Sequence, residues 1–476
     1  MRERLSPIFL VTSRELRDQF RDWRIIFPMA FLMFTFPVIM NFVAKEAVDY
    51  VSRYGGNLIL ERLVPFSLLI IGFFPITVSL VVALEAFVGE KERGTIEPLL
   101  STPLLDWQLY LGKLLVGILT PLLASCGSIA LYILLLTQQG IILPRPLLLV
   151  QIAALTMAHT VLMVSGAIAV STQSTTVRAA NLLASFIVVP TAFLIQGESA
   201  LIFWGNEHVL WLAVLAVSIM AGLLVRVGLA HFQREYLLGR DIDVLNLRWM
   251  WRTFWRAFTG GAQSFVGWYR AELFATLRKM WVPLTLIVAL AVIGAGIGFE
   301  WTTANLPALI AQKSPEEVQQ IADEIQKSAD FAGTDFQISF VNIFGNNIRA
   351  VAVMFLVGLF SFGVLGMLGL ITNMGLVGAV LALLQMMGYS PWMFFWAGLL
   401  PHGIFELPAI FLSSAVILHT GAVLVTPDAS RSIGEVLLES LADWIKILLG
   451  LVLPLLLIAA AIETYVTPTL LLQALR

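Results

Sequence analysis

The feature that most restricts this chain is the recurrence of apolar stretches about 20 residues long, the length of helix that crosses a bilayer's hydrocarbon core. They fall at roughly 26–43, 63–87, 114–137, 147–170, 179–196, 208–230, 282–299, 348–372, 374–390, 391–420 and 443–465. With no water in lipid, backbone polar groups must be satisfied within each segment, so these stretches become helices. Composition agrees: 59% of the 476 residues are hydrophobic and 13% charged, against about 25% charged in soluble domains. The expected fold is an all-α integral membrane protein with about eleven transmembrane helices in two modules. Stretch 391–420 is too long and broken for one simple rod.

A net charge of −2 gives no electrostatic reason to expect nucleic acid. Cys126 is the only cysteine, which excludes an intramolecular disulfide and argues against a cysteine-based metal site. Six arginines and four acids occupy the first 25 residues, followed by apolar sequence without a small-residue cleavage site. That pattern predicts an uncleaved first span with a cytosolic N-terminus.

Lys and Arg give the orientation. With the N-terminus inside, segments 1–25, 88–113, 171–178 and 226–281 hold 19 of them, and the opposite segments 44–62, 138–147, 197–207 and 300–349 hold 7. Beyond residue 373 only Arg431, Lys446 and Arg476 remain, too few to orient the last spans. The expected modules are 1–230, with six spans, and 270–476, with about five apolar segments and an external loop at 300–347; residues 231–269 link them.

In the linker's "RWMWRTFWRAF", Arg248, Arg252 and Arg256 recur every four residues among Trp251, Phe254, Trp255 and Phe258. A helix here would lie in the membrane interface, aromatics at the headgroups and guanidiniums toward lipid phosphates; a partner-docking face is the other reading. "WYRAELFATLRKMW" (268–281) precedes the seventh span as "TSRELRDQFRDWR" (12–24) precedes the first, Glu272-Leu273 aligning with Glu15-Leu16. Each module is therefore expected to start with an elbow helix on the inner leaflet. In the external loop, Ser314, Pro315 and Glu317 form a helix start, predicting one short helix on the outer face.

Between the second and third spans lies "GEKERGTIEPLLSTPL", a dense group of charges in apolar surroundings. Glu90, Glu92, Arg93, Gly94, Thr95, Glu97, Leu99, Leu100, Pro103, Gly112 and Lys113 resemble the pattern of ABC-2 type transporter permeases, over about the first 230 residues. The resemblance implies that this loop, with Glu90, Glu92, Arg93, Gly94, Thr95 and Glu97, docks on an ATP-hydrolysing subunit, and that residues 12–24 form the connecting helix beside it. Independently of the family, a charged projection from two spans can act as a lever if a soluble motor grips it; a solvated loop that only sets topology is the alternative. No G-x-x-x-x-G-K-[ST] loop occurs, so ATP and magnesium belong to a partner ATPase and this chain needs no cofactor. Six spans are half the usual complement, implying a homodimer or a second permease subunit.

From about residue 270, "NNIRAVAVMFLVGLFSFG" (346–363), "NMGLVGA" (373–379) and "LLPHGIFELPAIFLSSAVILHTG" (399–421) resemble the stage II sporulation protein M family. That resemblance implies recruitment or positioning of cell-envelope remodelling proteins. Gly294 and Gly298, with Gly358, Gly363 and Gly366, read as helix-packing glycines, the alternative being a substrate groove.

The sharper site is Pro401, His402, Gly403 and Glu406. Pro401 should kink or split the helix, and His402 and Glu406 share a face at i,i+4. Three readings stay open: a structural His–Glu pair, a proton- or substrate-handling site on a discontinuous helix, and a catalytic or zinc site. The last lacks an evident third ligand, so neither a metal nor a catalytic residue is assigned.

The function expected is a non-enzymatic permease subunit of an export system in a bacterial plasma membrane, multi-pass, coupled to a separate ATPase. The alternatives are a non-transporting scaffold that recruits envelope proteins and, third, an intramembrane hydrolase.

Overall fold

The computed structural model describes residues 2–54, 57–95, 101–174, 176–203, 209–232, 246–311, 339–426 and 433–474. Every regular element among them is helical, and eleven helical stretches are long and apolar enough to cross a membrane. The chain divides into two compact units, Met1–Leu245 with Val425–Pro427, and Asn246–Leu424 with Asp428–Arg476.

In the first unit, α1 (Arg2–Arg21) is the elbow. It ends where the Asp22 carboxylate accepts the Arg24 N–H at 2.9 Å and starts α2 (Trp23–Tyr54). The other spans are α3 (Asn57–Glu92), α4 (Asp106–Gln138), α5 (Pro146–Gln173), α6 (Val177–Phe203) and α7 (Leu210–His231). Helices α3 and α5 form the centre: α3 packs on α2, α4, α5 and α6, and α5 on α3, α4, α6 and α7. One apolar layer gathers Leu84, Phe87, Tyr110, Met163, Ile168 and Phe232; the other gathers Leu68, Ile71, Tyr132, Leu136, Ile152 and Leu155. Central α5 nevertheless buries Gln151, Thr156, His159, Thr160, Ser165 and Ser171. Thr156 and Thr160 satisfy their hydroxyls on carbonyls four residues back, which lets polar residues sit in a buried helix.

The second span does not end at residue 87. Helix α3 runs through Glu92, so Glu90 and Glu92 sit on its last turn rather than on a loop. At about 1.5 Å per residue, 36 residues extend well past a hydrocarbon core. Gly94, at φ +68, then ends it: its N–H donates to Lys91 O, and the Thr95 N–H to Glu90 O. This is a Schellman terminator, which requires the left-handed conformation glycine adopts freely. Glu97 lies outside the described residues.

The second unit begins with α8 (Leu247–Thr259), capped by Asn246, whose side chain accepts the Trp249 N–H. Its elbow is α9 (Phe265–Trp268), a π-turn (Tyr269–Leu273) and α10 (Phe274–Lys279). The spans are α11 (Trp281–Ala311), α12 (Phe340–Phe360), α13 (Val364–Met386), a composite of α14 (Pro391–Phe394), π-turn Phe395–Leu399 and α15 (Leu400–Val425), and a composite of α16 (Ile433–Ile447), π-turn Leu448–Val452 and α17 (Leu453–Tyr465). The short α18 (Thr467–Ala474) follows.

Three expectations are corrected here. The eighth and ninth spans part at Ser361–Gly363, not near residue 373, because Phe362 and Gly363 take φ of 52° and 90° and reverse the chain. The segment 300–347 is helical at both ends, in α11 and α12, since one acid, Glu300, does not stop a helix. Pro401 does not split its helix: the π-turn just before it widens the ladder where its ring would meet the carbonyl four residues back. The external helix expected from Ser314 lies outside the described residues.

Candidate functional site

Lys113 centres the first site. Its side chain is 2% exposed, and Nζ lies 2.8 Å from Glu90 Oε1, 3.2 Å from Glu15 Oε1 and 5.2 Å from the centre of the Phe87 ring. Gly112 makes this approach possible, because a Cβ there would stand 2.8 Å from Val11 of α1. Thr12 donates to Ile8 O and lies 3.2 Å from Gly112 O, and Thr120 donates to the Gln19 side chain at 2.7 Å. Elbow α1 is thus fixed along the start of α4 and, through one ammonium, to the end of α3.

The neighbouring charges hold the α5–α6 turn. Lys91 Nζ donates to Thr172 O and Ser174 O at 3.0 and 2.9 Å, a cation at the carbonyl end of α5. Glu92 Oε1 accepts the Val177 N–H at 2.7 Å, an anion at the amide end of α6. Ser171 Oγ accepts from the Phe87 and Val88 N–H groups. Arg93 is different: its side chain is 71% exposed, with Glu85 beside it at 3.6 Å as its ion-pair partner among the described residues. Of the residues expected to dock a partner, Glu90 and Glu92 are engaged inside the unit, Gly94 and Thr95 form the terminator, and Arg93 faces outward.

A pair missed by sequence reasoning lies deeper. His159 of α5 and Glu198 of α6 are 2% and 4% exposed, with Nε2 3.0 and 2.8 Å from the two carboxylate oxygens. The residues are 39 apart, so no local spacing announces them.

In the second unit the glycines divide by role. Gly294 and Gly298 face the Ile371 and Gly375 backbone of α13, and Gly378 faces Ala295 and Phe299 of α11. Gly358 and Gly366 flank Ile417 of α15, and Gly363 forms the reversing turn over Ile417 and Leu418. Helix α8 packs along α16, with Thr253 buried and Arg256 3.6 Å from Glu435; Arg248, Arg252, Trp251 and Trp255 stay exposed, the two tryptophans stacked at 5.5 Å. The elbow is tied down by Lys446, whose side chain is 4% exposed: 2.7 Å from Asp443 and 3.8 Å from Glu272. Asp443 also meets Lys279 at 3.1 Å.

His402 and Glu406 do share a face of α15, at 4.0 Å, an ion-pair distance rather than a hydrogen bond. Gly403 leaves open space beside them apart from Leu407 at 3.8 Å. The His402 ring meets Thr467 Oγ1 through Nδ1 at 3.2 Å. The third ligand not evident in sequence is Glu463 of α17: one atom each of His402, Glu406 and Glu463 lies within 4.8 Å of the others.

Eleven apolar helices among the described residues, with charges gathered at span ends and in a few buried groups, define a multi-pass membrane protein. Residues 10–204 match the family model described as ABC-2 family transporter protein, and residues 285–468 match that of stage II sporulation protein M. The chain therefore joins an ABC-2 transporter segment to a sporulation protein M segment. An uncharacterized protein of Methanocaldococcus jannaschii is 30% identical over 137 residues, 28% of this chain and 74% of that relative. No solved structure matches.

Proposed function

We propose that the chain is the membrane subunit of an ABC-type export system, driven by ATP–Mg hydrolysis in a separate subunit that docks at the α3–α4 turn. The observation that carries this reading is the clamp around Lys113. A push at the turn beyond Arg93 is delivered through Glu90 to α3, through Lys113 to α4, through Glu15 to α1, and through Lys91 and Glu92 to the α5–α6 turn. Five elements then move as one body, which is what a lever between motor and spans requires. Arg93 is the outward contact, suited to a partner carboxylate. The protein then sits in the plasma membrane with its N-terminus cytosolic, pairs with a second permease copy, and uses its sporulation protein M segment to position envelope-remodelling proteins.

The test is co-purification with the candidate ATPase, followed by ATPase assays in nanodiscs. Arg93→Glu is expected to weaken association at least tenfold without loss of folded protein. Lys113→Met, if it folds, is expected to keep the partner bound but remove stimulation of ATP hydrolysis by the membrane subunit. If no ATPase accompanies the wild-type chain, the scaffold alternative replaces this reading; if one does and Arg93→Glu leaves its association unchanged, Arg93 is not the docking contact.

A further inference from the structure

Three carboxylate clusters stand out in the described residues, and two are alike. Glu15 and Glu90 converge on buried Lys113; Glu272 and Asp443 converge on buried Lys446. In each, a lysine offsets charges that could not otherwise coexist in a low-dielectric interior. The third cluster, Glu406 and Glu463, has no lysine or arginine at ion-pair distance among the described residues; it has His402. Both carboxylates belong to stretches that count as membrane spans, Pro391–Val425 and Gly434–Tyr465. Ionised groups at such positions need a counter-charge or a function.

The imidazole is also set for a particular job. Thr467 is 8% exposed, and its Oγ1 lies 3.2 Å from Nδ1. Assigning the ring proton to that contact leaves the Nε2 lone pair, 4.0 Å from Glu406 Oε2, free to bind a cation. This is the arrangement of a metal-bound histidine, whose other nitrogen is held by an outer partner. Pro401 and its π-turn set the register of His402, and Pro454, two residues past the other π-turn, stands in the same relation to the helix carrying Glu463. π-Turns of this kind recur at functional sites.

We infer that His402, Glu406 and Glu463 form a divalent cation site of the zinc class, with Thr467 orienting the imidazole and a coordination position left for water. One nitrogen and two carboxylate oxygens suit zinc and its first-row neighbours, whereas calcium or magnesium would call for six or more oxygens. A dication with two carboxylates and a neutral imidazole is electrically neutral, the state that burial favours. Zinc–ligand bonds of about 2.1 Å place tetrahedral ligands roughly 3.4 Å apart. The present spread of up to 4.8 Å therefore closes through side-chain rotation of the two glutamates.

The experiment uses the untagged full chain in detergent, dialysed against micromolar zinc and then metal-free buffer, with retained metal measured by mass spectrometry. About one zinc per chain is expected, falling at least tenfold in Glu463→Gln and Glu406→Gln. Thr467→Val keeps all three ligands and is expected to weaken affinity about 10- to 100-fold. Cobalt in place of zinc should give the intense visible absorption of a tetrahedral site, lost in the same variants. If the glutamine variants fail to fold, the wild-type melting temperature decides: a zinc-dependent rise that Thr467→Val diminishes supports the site. No retained metal, equal retention in Glu463→Gln, or no zinc-dependent rise overturns it. None of these outcomes bears on the docking of an ATPase at Arg93.

Discussion

Lys113 belongs to a recognisable pattern in the sequence, one cation soon after a loop, but nothing there announces that it organises the first unit. Removing it leaves Glu15 and Glu90 facing each other without a counter-charge, and breaking such buried pairs from one side costs about 3 kcal/mol or more. Lys113→Met should therefore lower the melting temperature clearly in detergent-solubilised protein. In that background Glu90→Gln should cost far less than it does alone, because the carboxylate it removes has already lost its partner. A double-mutant cycle measures this directly, and additive effects would show that the contact carries no stability. At this scale the sequence was only partly legible. The Glu90–Gly94 run and Gly112-Lys113 stood out as a pattern, but which charges face inward did not, because Glu15 and Lys113 are 98 residues apart. The same holds for Glu463, which no spacing rule links to His402.

At the scale of the element, hydropathy finds spans but not their internal geometry. Ser361–Phe362–Gly363 reverses the chain without proline or charge, so the apolar run reads straight through it. Pro401 looks like a break and is absorbed by a π-turn. The second π-turn shows how such a defect is satisfied. Pro454 has no N–H for the Gly450 carbonyl, and the Tyr269 hydroxyl donates to that carbonyl instead, at 2.5 Å. Tyr269→Phe should therefore destabilise by about 1 kcal/mol. In a Pro454→Ala background the same change should cost less, since the new N–H can serve Gly450. Equal costs in thermal melts of the two pairs would sink the explanation. The G-x-x-x-G of α11 was legible because glycine at i,i+4 makes one smooth face whatever the partner. Gly298→Leu should disrupt α11–α13 packing, whereas Gly369→Ala, in open space, should be neutral.

Across the whole chain the short alignment between the two elbow segments acquires a physical content. Glu15 and Glu272, the aligned glutamates, each reach a buried lysine that a second carboxylate also holds. Two units of different family thus fix an elbow helix by the same device, a carboxylate–lysine–carboxylate triad. If elbows lie on the inner leaflet, as the distribution of Lys and Arg suggests, both triads should open to the same side of the membrane. Cys126 is the only cysteine, so Cys126→Ser gives a labelling background in one step. Single cysteines at the exposed positions Arg93 and Arg270 should then react with an impermeant maleimide only when the cytosolic face is accessible. A cysteine at Gln139, at the far end of α4, should react from the other side. Labelling of Arg93→Cys and Arg270→Cys from opposite faces would separate the elbows. Labelling of Arg93→Cys from outside would remove the only face on which an ATP-driven partner could reach the Lys113 clamp.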